Sequence, residues 1–591
     1  MKARYSLFAF IISGLCLIYS SLVFYPKWQK QTSELAISYD VAGYYWYLPS
    51  IFIYHDLKHQ SFADSLIRKY NMVPELPGYK ADNGNYVLKY SSGMSLMYLP
   101  AFTVANIYAR NTDKPADGFS PPYQLAIQLS GLLMSLIGLW YFRKLFLIFY
   151  NDVVVAVSML LLVIGSNYID FAAINIGMSH TWLFTLYVLL LLNTVHFYDS
   201  YRYKYATRIG FLIGLLTLAR PTEIISVLIP LLWGMESISG ATIKKQFVLL
   251  WQQRKKLLVA ILCSTIIILV QPMYWKYVSG HWVQYSYQDQ GFSWRHPHVL
   301  IYSFNYRSGW LTYAPLMIFA LIGILPFIRQ GRNKVAILAF ILLNYYIVSA
   351  WDIWWYGGRA MIQSYPLLFF PFASFIAYVI RRKVLAVVVT PFILLFVYFN
   401  IWLTYHEHKG NMYSPDDMTR AYFRRVVGRW NVPEETLKLR DNSELFEGTP
   451  RDMKLIYQND FENDSLNTTA YPPISGKGSL CLTPAHDKSG IYKFPLLHHT
   501  KWMRAQATFR CTIKEWTSWK MPEIIVHYYK KQDEIKNSSI RIDRFLDNGV
   551  TKDLYIDTKI PQDADSAGIS FQVFSDKTTL VDSLRVSTFE Q

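Results

Sequence analysis

Up to about residue 404, long apolar runs alternate with short clusters of lysine and arginine, a pattern that excludes a single soluble globule. Each run must find an apolar medium, and a helix perpendicular to a bilayer needs about 20 residues. The first run, Tyr5 to Tyr25, follows Lys2 and Arg4. It lacks a small-x-small cleavage site, and Leu15 directly before Cys16 departs from a lipoprotein signal. A retained first helix with its N-terminus inside is therefore expected. The other candidate spans are 122–142, 152–169, 180–198, 209–219, 222–238, 257–275, 310–328, 335–350, 361–380 and 384–404. Several are short, and the pair around Arg220-Pro221 reads as half-helices or a broken hairpin.

Alternation from an inside N-terminus tests this assignment. The turns that should face the cytoplasm hold Arg143-Lys144, the Tyr201 to Arg208 stretch, Lys244-Lys245 with Arg254-Lys255-Lys256, Arg329 to Lys334, and Arg381-Arg382-Lys383. All five clusters fall on one side, as the positive-inside rule requires. The expectation is about eleven spans with the C-terminus outside. The parity holds only if residues 91–109, apolar but interrupted by Pro100 and followed by Arg110, Asp113 and Lys114, do not cross. They are read as a helix in the outer interface, within one long loop from about 26 to 121.

The formal charge of +17 raises the question of nucleic acid, but the basic residues punctuate apolar runs instead of forming one surface. Nucleic acid is not an expected partner. The charged fraction of 17%, against roughly 25% in soluble domains, agrees with a membrane protein. Of the 4 cysteines, Cys16 and Cys263 lie in apolar runs. Cys481 and Cys511 fall outside the membrane region, where a disulfide can persist, and the sequence leaves their pairing open.

After Tyr405 the chain reads as soluble. Residues 405–454 form a helical linker, with helix-like spacing from Asp416 to Val432. From 455 to 591 short alternating segments appear, among them Ile491 to Phe494, Ala505 to Ile513, Ile524 to Tyr529 and Ile569 to Phe574, with Asp547-Asn548-Gly549 as a turn. This predicts an antiparallel all-β sandwich. Its opening, Asp460-Phe461-Glu462 and then Gly476-Lys477-Gly478-Ser479-Leu480, loosely resembles jelly-roll carbohydrate-binding-like modules. A structural sandwich and a sugar binder both remain open.

The first loop carries the most chemistry. In Ser38-Tyr39-Asp40-Val41-Ala42-Gly43-Tyr44-Tyr45-Trp46-Tyr47, a helix would put Asp40, Tyr44 and Tyr47 on one face. An acidic group at the membrane edge beside aromatic rings suits a general base acting on a sugar hydroxyl. Asp40 equally suits an N-cap, and the residues leave both roles open. Lys89, in Tyr86-Val87-Leu88-Lys89-Tyr90-Ser91-Ser92-Gly93, suits either a lipid-linked phosphate or a snorkelling lysine. Met178-Ser179-His180, Leu218 to Glu223, Phe304 to Trp310 and Trp351 to Arg359 all fall at outer ends of spans. Arg220, Arg307 and Arg359 are then cations on the side where cations are disfavoured. Converging, they would form an anion site; locally, Arg220 has Glu223 and Arg359 has Asp352 as partners. Convergence is the expectation.

These features occur in a recognisable order: an acidic residue after the first helix, Lys-Tyr-x-x-Gly before an interfacial helix, Ser-His opening a span, Arg-Pro-Thr between short helices, Arg-x-Gly-Trp-Leu-x-Tyr-x-Pro, and Trp-Trp-x-Gly-Gly-Arg. Together they resemble bacterial GT-C glycosyltransferases of the family 39 kind, relatives of the protein O-mannosyltransferases and the lipid A aminoarabinose transferases, over residues 1–404. The resemblance implies transfer of a hexose or pentose from a polyprenyl-phosphate carrier to a glycan, lipid or protein acceptor. The reaction would invert the anomeric carbon on the periplasmic face of a bacterial inner membrane. It matches Asp40 to the loop-one acidic residue and Lys89 to a lysine near the carrier phosphate, and gives Arg220, Arg307 and Arg359 to the departing phosphate. Tyr44, Tyr47, Asp56, Tyr90, His180 and Trp355 are the candidates for substrate contacts.

Two departures stand out. Asp40-Val41 replaces the adjacent acidic pair of several mannosyltransferases, so the base acts alone or with help from Asp56. Tyr-Ser-Ser-Gly follows the lysine where a Pro-Pro pair is expected. The resemblance allows a divalent metal without requiring one. The pairs His406/His408 and His498/His499 read as solvated surface. A flippase of lipid-linked glycans is the rival function, but it calls for polar residues through the bilayer, and here they gather at one face.

Overall fold

The computed structural model describes residues 4–30, 34–70, 78–352, 356–410, 412, 417–464, 466, 471–496, 500–515, 518–574 and 577–590. The chain divides into two compact units, Met1–Lys409 and Gly410–Gln591.

Among the described residues of the first unit, six helices are long and apolar enough to cross a membrane: Arg4–Gln29, Pro121–Phe146, Ser179–Ser200, Arg254–Ser279, Gly357–Ile380 and Lys383–His408. They make this unit a multi-pass membrane domain. Four shorter apolar helices, Asp152–Ile164, Pro221–Leu232, Pro315–Gln330 and Lys334–Ala350, lie between them, as does the Tyr203–Ala219 helix. Ser179–Ser200 and Gly357–Ile380 are mostly buried, whereas Arg254–Ser279 and Lys383–His408 turn their apolar surface outward. The last of these helices runs on to His408, beyond Tyr405.

Local chemistry explains where helices stop. Pro221 pushes the residue before it out of helical geometry. Arg220 is accordingly extended (φ −145°, ψ 115°), and the chain restarts at Pro221 as a 3-10 helix. Residues before the second apolar helix form two short helices, Tyr39–Tyr45 and Tyr47–Phe52, and a hairpin of β1 (Gly78–Lys80) with β2 (Tyr86–Leu88). The helix Gly93–Arg110 follows. It has 18 residues but is not apolar enough to be grouped with the six. Met94, Tyr98, Phe102, Ala105 and Ala109 form its buried stripe, while Val104, Ile107 and Tyr108 are exposed.

The second unit is an antiparallel sandwich of strands β3 (Arg451–Asn459), β4 (Leu480–Leu482), β5 (Tyr492–Pro495), β6 (Trp502–Cys511), β7 (Glu523–Lys530), β8 (Asp533–Arg541), β9 (Thr551–Lys559), β10 (Ser566–Gln572) and β11 (Thr579–Glu590). One sheet has the order β5-β10-β7-β8; the other runs β3-β11-β6-β9, with β4 also on β11. Alternate residues Met503, Ala505, Ala507 and Phe509 of β6 and Ile524, Val526 and Tyr528 of β7 fill the core, as period-two strands require. A helix spans Arg420–Val426, shorter than the spacing suggests, and Asp416 lies outside the described residues. Asp417 and Asp441 pair with Arg541 and Arg544, which binds the preceding segment to the sandwich.

Cys481 and Cys511 are both free thiols. β11 runs between them: Cys481 pairs with Leu580 on one side, Cys511 with Thr579 on the other. Two strand spacings amount to roughly 9.5 Å, beyond the ~7 Å that a disulfide bridges.

Candidate active site

Asp40 is the second residue of the Tyr39–Tyr45 helix, inside its first turn, so it is not the N-cap. Its carboxylate reaches away from the helix. Tyr90 Oη donates to Oδ1 at 2.6 Å, and Arg359 Nη2 donates to Oδ2 at 2.8 Å. Arg359 and Asp40 are 24% and 23% exposed, which leaves the pair within reach of a ligand. The local alternative fails, because Asp352 is engaged by Ser293 Oγ (2.7 Å) and His298 Nε2 (3.2 Å).

The shared face of Asp40, Tyr44 and Tyr47 has one target, Tyr90. The Tyr44 ring packs edge-on against it at 4.7 Å, and Tyr47 Oη donates to its carbonyl at 2.6 Å. Burial, and then the Asp40 carboxylate, push the Tyr90 phenol well above its ordinary range, so it remains a donor. Next to it, Lys89 Nζ lies 5.7 Å from the Tyr90 ring and 5.4 Å from the Tyr287 ring. Burial lowers the Lys89 ammonium, and the Asp40 and Asp289 carboxylates oppose that shift. The Lys-Tyr-x-x-Gly spacing ends in a close approach. A Cβ on Gly93 would sit 2.3 Å from the Ala219 nitrogen, immediately before Arg220. Only glycine lets these two segments meet, and the meeting brings Lys89 and Tyr90 to the helix break.

Arg220 lies among Glu223 and the phenols of Tyr44, Tyr287 and Tyr302. Glu223 is 2% exposed, and its oxygens accept from Tyr187 Oη (2.5 Å) and Gln363 Nε2 (3.0 Å). That second bond fixes the next one. With its nitrogen on Glu223, Gln363 presents Oε1 to His180 Nδ1 at 3.0 Å. Nδ1 must therefore carry the hydrogen, which leaves His180 Nε2 as an acceptor. The Arg220 Nη1 to His180 Nδ1 distance of 3.5 Å is then proximity between two donors, with no bond.

Arg359 owes its position to Gly357 and Gly358, both left-handed (φ 61° and 58°). A Cβ on Gly358 would lie 2.5 Å from Trp310 Cβ, while its N–H donates to Ser308 O at 3.0 Å. The Gly-Gly-Arg and Gly-Trp-Leu segments therefore interlock.

The remaining candidates make other contacts or fall outside the described residues. Arg307 is exposed, with its guanidinium 5.6 Å from the Tyr306 ring. Asp56 closes its own loop, accepting from His59 N (2.8 Å), Ser61 N (2.8 Å) and Ser61 Oγ (2.7 Å). Partial burial works against its charged form, yet these bonds bring the carboxyl down to about 2. Trp355, His498 and His499 lie outside the described residues. His406 is buried, with its ring against Trp402 (5.0 Å), and His408 against Asp170 (2.6 Å); neither is the solvated residue expected. The sequence does not single out Tyr287 and Gln363 as members of this cluster, whereas Glu223 stands in it as the local partner of Arg220. Gln363, a lone amide in an apolar run, was the available signal.

The cluster thus sets Lys89, Arg220 and Arg359 beside Asp40, Glu223 and Asp289. Its three cationic groups at a helix break suit an anion, and Asp40 and His180 Nε2 offer acceptors for hydroxyls.

No known protein family matches the chain, and no curated protein matches it. Among solved structures, the apo oligosaccharyltransferase of Archaeoglobus fulgidus is similar with a TM-score of 0.44 and 12% identity, over 68% of this chain and 55% of that one. The chain thus spans little more than half of that protein. A family 16 carbohydrate-binding module 2 is similar with a TM-score of 0.15 and 15% identity, over 19% of this chain and 78% of the module.

Proposed function

We propose that this chain is a membrane glycosyltransferase of the GT-C kind that moves a sugar from a polyprenyl-phosphate carrier to an acceptor hydroxyl, with inversion. The observation that carries the reading is the Asp40–Arg359 pair beside Tyr90, Lys89 and Arg220, gathered from segments as much as 319 residues apart. In this proposal about eleven segments cross a bacterial inner membrane from an inside N-terminus. The five basic clusters then face inward, and the helix ends carrying the cluster face the periplasm.

In the resting arrangement Arg359 holds Asp40. An arriving carrier phosphate gives the guanidinium a second anion, and Lys89 and Arg220 supply further positive charge. Asp40 then faces the acceptor. It takes the acceptor's proton as the oxygen attacks the anomeric carbon from the side opposite the phosphate. The carbon–oxygen bond to the phosphate breaks, and its electron pair leaves with the carrier. Preorganised cations stabilise the charge that develops on that leaving group. A single displacement inverts the centre.

A flippase of lipid-linked glycans is the alternative. The polar side chains of the cluster belong to adjoining helix ends and one loop, which favours chemistry at one face. Purified protein incubated with a panel of polyprenyl-phosphate sugars tests the choice. Release of sugar or its transfer to an acceptor supports the transferase. Tight donor binding without turnover of any donor, together with translocation in vesicles, supports the flippase.

A further inference from the structure

Away from Asp40, the fold brings one side chain to two neighbouring ones, the second of which lies 238 residues further along the chain. Among the described residues, Asp170, Glu407 and His408 form a group whose ligand atoms all lie within 4.8 Å of one another. Asp170 opens a π-helical turn, Asp170–Ile174, and Glu407 and His408 close the Lys383–His408 helix. His408 Nε2 lies 2.6 Å from Asp170 Oδ1 and 3.9 Å from Glu407 Oε2. The side chains of Asp170, His408 and Glu407 are 1%, 8% and 15% exposed, so the group is withdrawn from water.

We propose that Asp170, Glu407 and His408 bind one divalent transition-metal ion of the zinc or manganese class. Two carboxylates carry the charge that cancels such an ion, and the imidazole adds a nitrogen donor. Mixed nitrogen and oxygen donors suit these metals better than calcium or magnesium, which take oxygen alone. The surroundings resemble the outer shell that orients metal ligands. Asn175 Nδ2 donates to both Asp170 oxygens at 3.2 Å, and Lys27 Nζ donates to Asn175 Oδ1 at 2.9 Å, which keeps the lysine charge one residue back. The Tyr25 ring lies 4.8 Å from that of His408. Three protein ligands leave a position for water.

The ion ties the end of the last apolar helix to the turn that leads into His180, whose ring lies 5.5 Å from that of Phe171. Its role is to hold that turn, and the site stands whether or not the chain transfers sugars. The competing account is a metal-free contact between His408 and Asp170.

The test uses the full chain, purified in detergent, free of any tag, stripped with a chelator, then dialysed against Zn2+. The expected result is one equivalent bound, with Zn2+ raising Tm by several degrees. Asp170→Asn and His408→Gln each lose the bound equivalent and the Tm rise, while Asp352→Asn, at a carboxylate held by Ser293 and His298, keeps both. Should those variants fail to fold, Glu407→Gln carries the same expectation. Less than a tenth of an equivalent in the wild type, or binding that survives in every folded ligand variant, overturns the site.

Discussion

Replacing Arg359 by glutamine separates the catalytic reading from a structural one. Arg359 Nη2 meets Asp40 Oδ2 at 2.8 Å with both side chains about a quarter exposed. A hydrogen bond to a charged group contributes about 1.5–3 kcal/mol, and partial exposure places this one at the lower end. A loss of ~1–2 kcal/mol from a folding stability of ~5–15 kcal/mol leaves nearly all of the protein folded. Loss of a cation aimed at a developing anion removes ~2.7–4 kcal/mol from the transition state, about 10²–10³ in kcat. Arg359→Gln should therefore lose about a hundredfold or more in kcat for sugar release from a polyprenyl-phosphate donor, with Tm lowered by only a few degrees. The assay is single-donor turnover at saturation, paired with thermal unfolding of the same preparation. A kcat within threefold of wild type, at unchanged Tm, would refute the assignment of Arg359 to the leaving phosphate.

Three further outcomes follow from the same geometry. Burial lowers the Lys89 pKa despite Asp40 and Asp289, so as pH rises its charge is lost before that of an exposed lysine. Donor KM should rise at alkaline pH, and Lys89→Arg should move that rise upward; an unmoved alkaline limb contradicts phosphate binding by Lys89. Gly358→Ala puts a side chain at φ 58° and a Cβ 2.5 Å from Trp310 Cβ. The left-handed backbone alone costs about 1–2 kcal/mol, so both Tm and kcat should fall, whereas Gly490→Ala, with open space around it, should leave Tm unchanged. If the sandwich binds a sugar of the acceptor, deleting 455–591 should weaken acceptor affinity while carrier-sugar hydrolysis persists, measured by acceptor KM against donor hydrolysis; equal loss of both contradicts that role.

The parts legible in the sequence are those that local chemistry dictates. Pro221 announces the break at Arg220, period-two alternation announces β6 and β7, and the i, i+4, i+7 spacing puts Asp40, Tyr44 and Tyr47 where all three meet Tyr90. What the sequence leaves open is the choice among partners of equal chemistry. Asp352 lies seven residues from Arg359 and Asp40 lies 319 away, yet the backbone turns at Gly357 and Gly358 give the guanidinium to Asp40. Glu223, three residues from Arg220, does act on its charge, and Gln363 and Tyr187 also occupy its oxygens. His408 looks solvated beside Glu407, until Asp170 arrives from 238 residues away. The cysteines are set apart by the same logic, since β11 runs between them.

The central claim is that Asp40 takes the acceptor's proton, and Asp40→Asn tests it most directly. Asparagine keeps the shape and can still accept from Tyr90, but it cannot hold a proton as a base. Such a group contributes about 10²–10⁴ in rate. The account predicts that Asp40→Asn binds a polyprenyl-phosphate sugar within a few-fold of wild type and transfers it at least a hundredfold more slowly. Transfer at the wild-type rate, with donor binding intact, would contradict it.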